Sequence, residues 1–490
     1  MIENRTETRA ARLVLALACA CQFMVILDVS IINVALPSVR RDLGFTDAGL
    51  AWVVNGYVLA FAGLMLLGGR AADLFGRRRV LVAGLGLFSL ASLGAGLAST
   101  PELLVGARAM QGLGGAMLAP ATLAVINTCF PAGPARARAF GAWSASGGVG
   151  GMVGAVAGGV LTTGLSWRWV FLINVPIGVL LVAVAMTSLT ATRAARRGSL
   201  DLAGAVTGTA GLAALVYGVM QTAEHAWGSA RVLVPVLAGA LLLAVFLLVE
   251  KHFAAAPMMP FRLFEHRGVA VSDVLLVLFG GVAVAMWFFS SLLMQNVLGF
   301  SALAAGLGQT PAAVTFVVVA RLAAGRLSRT GVRPLILAGC AGFVAGFGWL
   351  SQAGAGSHYV TGVLGPTLLV AVGIGLVFPT LMASATAGVE PGDAGIVGGV
   401  ANAAGQVGGA VALAVYATVA AARAGASPAP AALASGYELV FGLAAGVALA
   451  IAAVSLLLPT RQLTLQFNQD TEHDQGWGVH DGNVRELRRQ

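Results

Sequence analysis

Charge is scarce in this sequence. Asp, Glu, Lys and Arg make up 10% of 490 residues, against roughly 25% in a soluble globular protein. So few charges cannot clothe a water-facing surface of this size, which excludes a cytosolic enzyme and a nucleic-acid-binding domain. Lysine is nearly absent: Lys251 stands alone, and the other 28 of the 29 basic residues are arginine. A Walker A phosphate loop needs Gly-Lys-Ser/Thr. Lys251 follows Glu250, so ATP-driven transport within this chain is excluded, and a Schiff-base enzyme has one poor candidate. The four cysteines, Cys19, Cys21, Cys129 and Cys340, lie in or beside apolar stretches without zinc-site spacing. They are expected to be small packing residues, which excludes a disulfide scaffold. The six histidines, at 225, 252, 266, 358, 473 and 480, fall in loops, at helix ends or in the C-terminal tail. They form no catalytic set and no metal site, so a membrane-embedded enzyme or receptor is disfavoured.

What the chain does have is length in apolar blocks. Hydrophobic residues reach 58%, in runs of about 20 to 25 residues that match a ~30 Å hydrocarbon core. The expected fold is an all-α polytopic membrane protein of fourteen transmembrane helices. Residues 1–11 read as a cytoplasmic N-terminus, 12–190 as a six-helix bundle, and 201–250 as a two-helix insert. Residues 268–458 read as a second six-helix bundle and 459–490 as a polar, disordered cytoplasmic tail. Arginine and lysine test the count, because cytoplasmic loops concentrate them. Alternate segments on one side hold 22 of them and those on the other side five, with Arg108 and Arg321 inside helices. Both termini are therefore expected in the cytoplasm. The first apolar run contains Asp28 and is too long for the core of a cleavable signal peptide.

The sequence also echoes itself. Leu43-Gly44-Phe45-Thr46 returns as Leu298-Gly299-Phe300-Ser301, and Gly69-Arg70 as Gly325-Arg326. Gly76 precedes Gly84 by the same interval as Gly331 precedes Gly339. Partners lie eight spans apart, the offset that two six-helix copies around a two-helix insert would give. Such repeats suit a carrier whose halves rock about a midplane site.

Several stretches then point to a family. The loop Gly69-Arg70-Ala71-Ala72-Asp73-Leu74-Phe75-Gly76-Arg77-Arg78-Arg79 resembles the signature between the second and third helices of the major facilitator superfamily. Arg108-Ala-Met-Gln111-Gly112 resembles that superfamily's fourth-helix motif. Leu27-Asp28-Val29-Ser30 through Asn33 to Pro37 resembles the first-helix motif of its fourteen-span drug/proton antiporters. Trp167-Arg168-Trp169 through Asn174-Val-Pro176-Ile-Gly178 resembles the same family's entry to the sixth helix. One departure stands out. The antiporters' fifth-helix Gly-Pro-x-x-Gly-Gly is here Gly154-Ala155-Val156-Ala157-Gly158-Gly159, without the kinking proline. Gly150, Gly154, Gly158 and Gly159 still offer a small face for close helix packing.

Asp28 is the only acid deep within an apolar span. Burying a charge at a helix centre costs at least ~2.5 kcal/mol, so a functional role is the default, here as the proton-coupling carboxyl. Arg108 is expected within about 5 Å of its depth, from 1.5 Å rise per residue, as its ion-pair partner, direct or through water. The resemblance implies that this arginine takes part in proton transfer. It also implies that Gly69, Asp73, Gly76, Arg77 and Arg78 form a gating loop; membrane anchoring is the other reading of the arginines. Candidate cavity groups are Asn33, Trp52, Asn55, Tyr57, Gln111, Trp287, Phe288, Gln295 and Gln406. Arg321 either snorkels or lines the cavity. Asp273, about six residues into its span, reads first as a helix-end charge.

A sparse, adaptable apolar cavity suits bulky amphiphiles. The expected function is proton-coupled efflux of antibiotics or other lipophilic drugs across the bacterial plasma membrane by alternating access. A transporter of one specific metabolite is the rival. The expected partners are a small lipophilic substrate, protons and the bilayer, the proton gradient replaces any cofactor, and the protein is expected to act as a monomer. The bias to alanine, glycine and arginine hints at a G+C-rich genome and an antibiotic producer.

Overall fold

A computed structural model describes residues 2–130, 134–189, 201–223, 225–253, 261–386, 394–425 and 429–458. The tail from 459 onward lies outside the described residues, as does the side chain of Asp73. Fourteen long helices run through the described residues. They are α1 (Ile2–Leu43), α2 (Asp47–Phe75), α3 (Arg77–Gly96), α4 (Pro101–Cys129), α5 (Pro134–Gly164), α6 (Trp169–Ser188) and α7 (Leu202–Met220). Then come α8 (Ala230–Phe253), α9 (Arg267–Val297), α10 (Ala302–Thr330), α11 (Val332–Leu350), α12 (Val360–Thr386), α13 (Ala394–Ala424) and α14 (Pro430–Ser455).

Twelve of these, among the described residues, are long and apolar enough to cross a membrane. The expectation of fourteen membrane spans is met only to that extent. In α2 the apolar stretch among the described side chains is Gly49–Met65. α5 is not among the twelve; nine of its 31 residues are glycine and it opens with Arg136 and Arg138. α1 also begins earlier than the expected residue 12.

The turns follow from local chemistry. Gly44 and Gly299 adopt φ of 72° and 71°, a conformation that costs glycine nothing. Each precedes a hydroxyl cap: Thr46 Oγ1 accepts from Gly49 N at 2.9 Å, and Ser301 Oγ from Ala304 N at 3.2 Å. Gly76 and Gly331, at φ 91° and 78°, make the turns into α3 and α11. The next matched pair is Arg78 and Arg333. Arg78 donates to Met186 O at the end of α6, at 2.7 Å. Arg333 donates to Leu456 O at 2.7 Å and to Leu458 O, at the end of α14. Cationic groups on the last carbonyls of a helix answer its dipole. Every one of these pairs is 255 positions apart, so the repeat read from glycines is a repeat of hydrogen bonds as well.

Packing falls into two groups. α1 lies along α5, α2 along α4, and α3 against α4 and α6. α9 lies along α13, α11 against α12 and α14, and α10 against α12. The groups meet where α5 touches α10 and α2 touches α13, and α7 packs on the α2–α13 seam with α8 outside it. Cys21 and Cys340 are buried as packing residues, whereas Cys129 is exposed because it closes α4 at the chain turn.

The α1–α5 contact is backbone to backbone. A Cβ on Gly150, Gly154 or Gly158 would come within 2.7 Å of Phe23 O, 2.8 Å of Ser30 Cβ or 2.6 Å of Ile31 O. Ser30 Oγ also donates to Gly151 O at 2.7 Å. A Gly158→Leu protein is expected to lose about 1–3 kcal/mol of stability through overpacking. Thermal melting in detergent checks this, with Gly164→Ala, which has open space around its Cβ position, melting as wild type.

Candidate functional site

Four helices aim polar side chains at one point, and a fifth, α2, closes on it. Asp28 (α1), Ser92 (α3), Arg108 and Gln111 (α4) and Asn174 (α6) have no exposed surface at all. Arg108 Nη1 donates to Asp28 Oδ2 at 2.5 Å. Gln111 Nε2 and Asn174 Nδ2 donate to Asp28 Oδ1 at 2.6 and 2.8 Å. The carboxylate therefore receives three donors on two oxygens. Arg108 is held in turn. Its Nε donates to Val53 O of α2 at 2.8 Å and its Nη1 to Gln111 Oε1 at 2.8 Å. Its guanidinium carbon lies 4.4 Å from the ring centre of Tyr57 and 5.7 Å from that of Phe171, within cation–π range. The second amide hydrogen of Gln111 goes to Ser92 Oγ at 2.7 Å.

An ion pair stripped of solvent is tolerable only when its remaining hydrogen-bonding capacity is filled. Here it is nearly filled. Arg108 Nη2, Asn174 Oδ1 and Tyr57 Oη stay without a partner. Protonating Asp28 would turn a charge-assisted pair into neutral contacts and leave Arg108 as an uncompensated cation held by Val53 O and Gln111 Oε1. One proton thus changes forces on α1, α2, α3, α4 and α6 together.

Of the residues singled out from sequence, Asp28, Arg108, Gln111 and Tyr57 come together here. The other cavity candidates do not. Trp52 turns to Tyr217 of α7, with ring centres 6.3 Å apart. Asn55 is fully buried and both its amide atoms lack partners. Asn33 meets α9 through its carbonyl, which accepts from Ser291 Oγ at 3.4 Å, and Gln295 donates to that same hydroxyl at 3.1 Å. Trp287, Phe288 and Gln295 sit on two widened π turns of α9, Ala285–Phe289 and Leu293–Val297; such turns recur at functional sites. Phe288 lines a recess with Leu50, Asn296 and Tyr437. Gln406 is half-buried on α13. Ser92, Phe171 and Asn174 were not among the sequence candidates for the site. For Asn174 a signal existed: it is a lone amide early in an apolar span.

The gating-loop candidates lie at the end of the bundle where α1 begins and α14 ends, here the near end. Gly69 packs against Pro120, Gly76 makes the turn, and Arg78 reaches α6 as described. Arg77 opens α3. Arg321 is exposed on α10, on a face shared with Val314, Val318 and Leu322. At the opposite, far end, α5 and α10 close on each other. A Cβ on Gly159 would lie 2.5 Å from Leu303 Cα, and one on Gly306 would lie 2.2 Å from Ala155 O. Ala155, in the place of the family proline, thus presents its carbonyl to Gly306.

The model of the Major Facilitator Superfamily matches residues 18–413. The chain is 47% identical to the cephamycin export protein of Amycolatopsis lactamdurans over 457 residues, 93% of each chain. It is 38% identical to the puromycin resistance protein of Streptomyces alboniger, over 90% of this chain and 89% of that one. Among solved structures, a bacterial homologue of the human lysosomal transporter Spinster, inward-facing and unoccupied, matches with a TM-score of 0.67 at 15% identity. That match covers 94% of this chain and 98% of the other, and it bears on fold alone.

Removing one partner of a buried pair leaves the other charge uncompensated, at about 3–5 kcal/mol. Arg108→Leu is expected to lower stability by that amount, and Asp28→Asn combined with Arg108→Leu to lower it by much less. A double-mutant cycle of thermal melting in detergent checks the coupling; additive losses would show that the pair is not energetically linked.

Proposed function

The chain belongs to the Major Facilitator Superfamily, and from that premise we propose that it exports an antibiotic from a bacterial cell in exchange for protons. It is a multi-pass transporter of the plasma membrane, not an enzyme, and antibiotic efflux is the function its relatives support. The finer reading adds the coupling, the substrate class, the orientation and the span count. A small lipophilic antibiotic is the cargo. All fourteen helices cross the membrane, α2 and α5 included. The near end faces the cytoplasm, because 22 of the basic residues gather in the segments assigned to that side, and both termini lie there. The protein works as a monomer, with α1–α6 and α9–α14 as two halves and α7–α8 as an insert on one seam between them.

The observation that carries the coupling is the sealed Asp28–Arg108 pair. In the arrangement described, α5 and α10 shut the far, extracellular end. With Asp28 charged, its three donors hold α1, α4 and α6 together. When the far end opens, a proton from the outside reaches Asp28 and the pair relaxes. The neutral carboxyl no longer opposes Arg108, the helices shift, and the bound drug leaves outward. Return to the near-end-open form lets the proton depart to the cytoplasm, and the restored attraction resets the site for the next drug. The family loop, with Gly69, Asp73, Gly76, Arg77 and Arg78, sets the near-end closure.

Efflux of a cephamycin and of puromycin from cells expressing the protein tests this reading. Wild-type cells are expected to export at least one of them, and a proton-dissipating uncoupler to stop it. Asp28→Asn at equal expression is expected to export no more than cells lacking the protein. Export that survives both the uncoupler and Asp28→Asn would sink proton coupling through Asp28.

A further inference from the structure

A second buried acid stands apart from this network. Asp273 lies in the second turn of α9, near the end where α1 begins. It reads from sequence as a helix-end charge, yet it is only 6% exposed, because the neighbouring helices extend past it. Neither of its carboxyl oxygens has a hydrogen-bond partner. Its place on the helix explains why. Val269, one turn earlier, packs against Val397 of α13. One turn later, Gly405 and Gly408 of α13 lie against the carbonyls of Leu276 and Val277. Asp273 falls between these contacts on the same stripe, in the seam of α9 and α13. The neighbouring Ser272 hydroxyl is engaged elsewhere, donating to Ser384 Oγ of α12 at 3.0 Å.

No cation faces it from the described parts of the elements packed on α9. α12 has no ionisable side chain. α13 has Tyr416 and Arg423, and α14 has Tyr437 and Glu438, all toward the far end. Tyr416 Oη lies by Gly281, about 12 Å along the axis from Asp273 at 1.5 Å per residue. At the near end, Arg262 and Glu265 belong to the short helix Phe261–Glu265, and His266 and Arg267 begin α9. Glu265, His266 and Arg267 are exposed. Glu390 and Asp393 lie on 387–396, outside the described side chains.

A charged carboxyl without donor or counter-ion is not stable in an apolar seam; such a group neutralises instead. We propose that Asp273 is a second proton-binding carboxyl, loaded in the arrangement seen here and discharged when water reaches the near end of the α9–α13 seam. Asp28 and Asp273 then differ in kind. The first is a carboxylate held by an arginine and two amides. The second is a neutral acid with nothing to hold it but a proton. The proton-binding claim stands on this geometry alone, whereas its part in transport rests on the proton-coupled reading above.

Infrared spectra of the full chain in lipid nanodiscs at neutral pH test the binding claim. The carbonyl stretch of a protonated carboxyl, shifted by exchange into heavy water, is expected in the wild type and in Asp28→Asn. It is expected to be lost in Asp273→Asn, or in Asp273→Ser should the first variant not fold. A wild type without the band, or a band that persists in both Asp273 variants, would overturn the proposal. Proteoliposomes with an internal pH dye then test the transport role using puromycin. Protons moved per puromycin are expected to fall by half in Asp273→Asn while export continues; an unchanged ratio would overturn that role. Failure of the wild type to move either puromycin or a cephamycin would count against the export reading, and the infrared band would still decide Asp273.

Discussion

A carboxylate and a guanidinium sealed from both water and lipid set the terms for the first six helices. Neither charge is tolerable alone in that place. Each therefore dictates what surrounds it: two amides and an arginine for Asp28, a backbone carbonyl and two aromatic faces for Arg108. Five helices must hold their depth and rotation for these contacts to be made at once. That requirement explains the small residues nearby. Gly112 of α4 lies where a Cβ would strike Tyr57 O at 2.3 Å, and Gly115 where it would meet Tyr57 Oη at 2.9 Å. Larger residues would push α2 off α4 and take Val53 O and the Tyr57 ring from the arginine.

The same economy governs the contact between the halves. Lipid offers no hydrophobic drive for helices to associate, so close approach and dispersion must supply it. α5 does this on two sides, against α1 through Gly150, Gly154 and Gly158 and against α10 through Gly159. It is the element common to the interior of one half and to the far-end closure. The glycine content that lets α5 do this also keeps it out of the twelve helices that are plainly apolar enough to span. Low apolarity and close packing are one property of this helix, since a glycine face adds contact area for its neighbours but little hydropathy of its own.

Much of this was legible in the sequence, and the misses have a common cause. Asp28 and Arg108 stood out because a charge in an apolar run is costly wherever it points. Gln111 followed from being one turn beyond Arg108. Ser92 carried no signal, because a serine in an apolar helix is cheap and its direction is not written locally. Trp52 looked like a cavity wall, and only its partner Tyr217, from the insert, shows which way it faces. Asp273 was judged by its distance from a helix end, which says nothing of how far its neighbours extend. Composition and spacing report depth along a helix well; they report rotation about it only when a constraint as strong as a buried charge is present.

The repeat sharpens the point about what the two halves share. Gly44 and Gly299, Thr46 and Ser301, Gly76 and Gly331, and Arg78 and Arg333 keep both their spacing and their hydrogen bonds. The register that carries these pairs puts Ala283 opposite Asp28, Val363 opposite Arg108 and Pro366 opposite Gln111. The scaffold is therefore duplicated and the charged site is not. Turns and caps are needed wherever a chain reverses at a membrane surface, so both copies retain them. A buried ion pair is a burden that one copy suffices to bear. The second half, freed of it, keeps a buried acid, Asp273, at a different depth, on α9 near the opposite end of the bundle. Under the proposed proton coupling, an asymmetric pair of acids in a symmetric frame would give the two halves different responses to a proton.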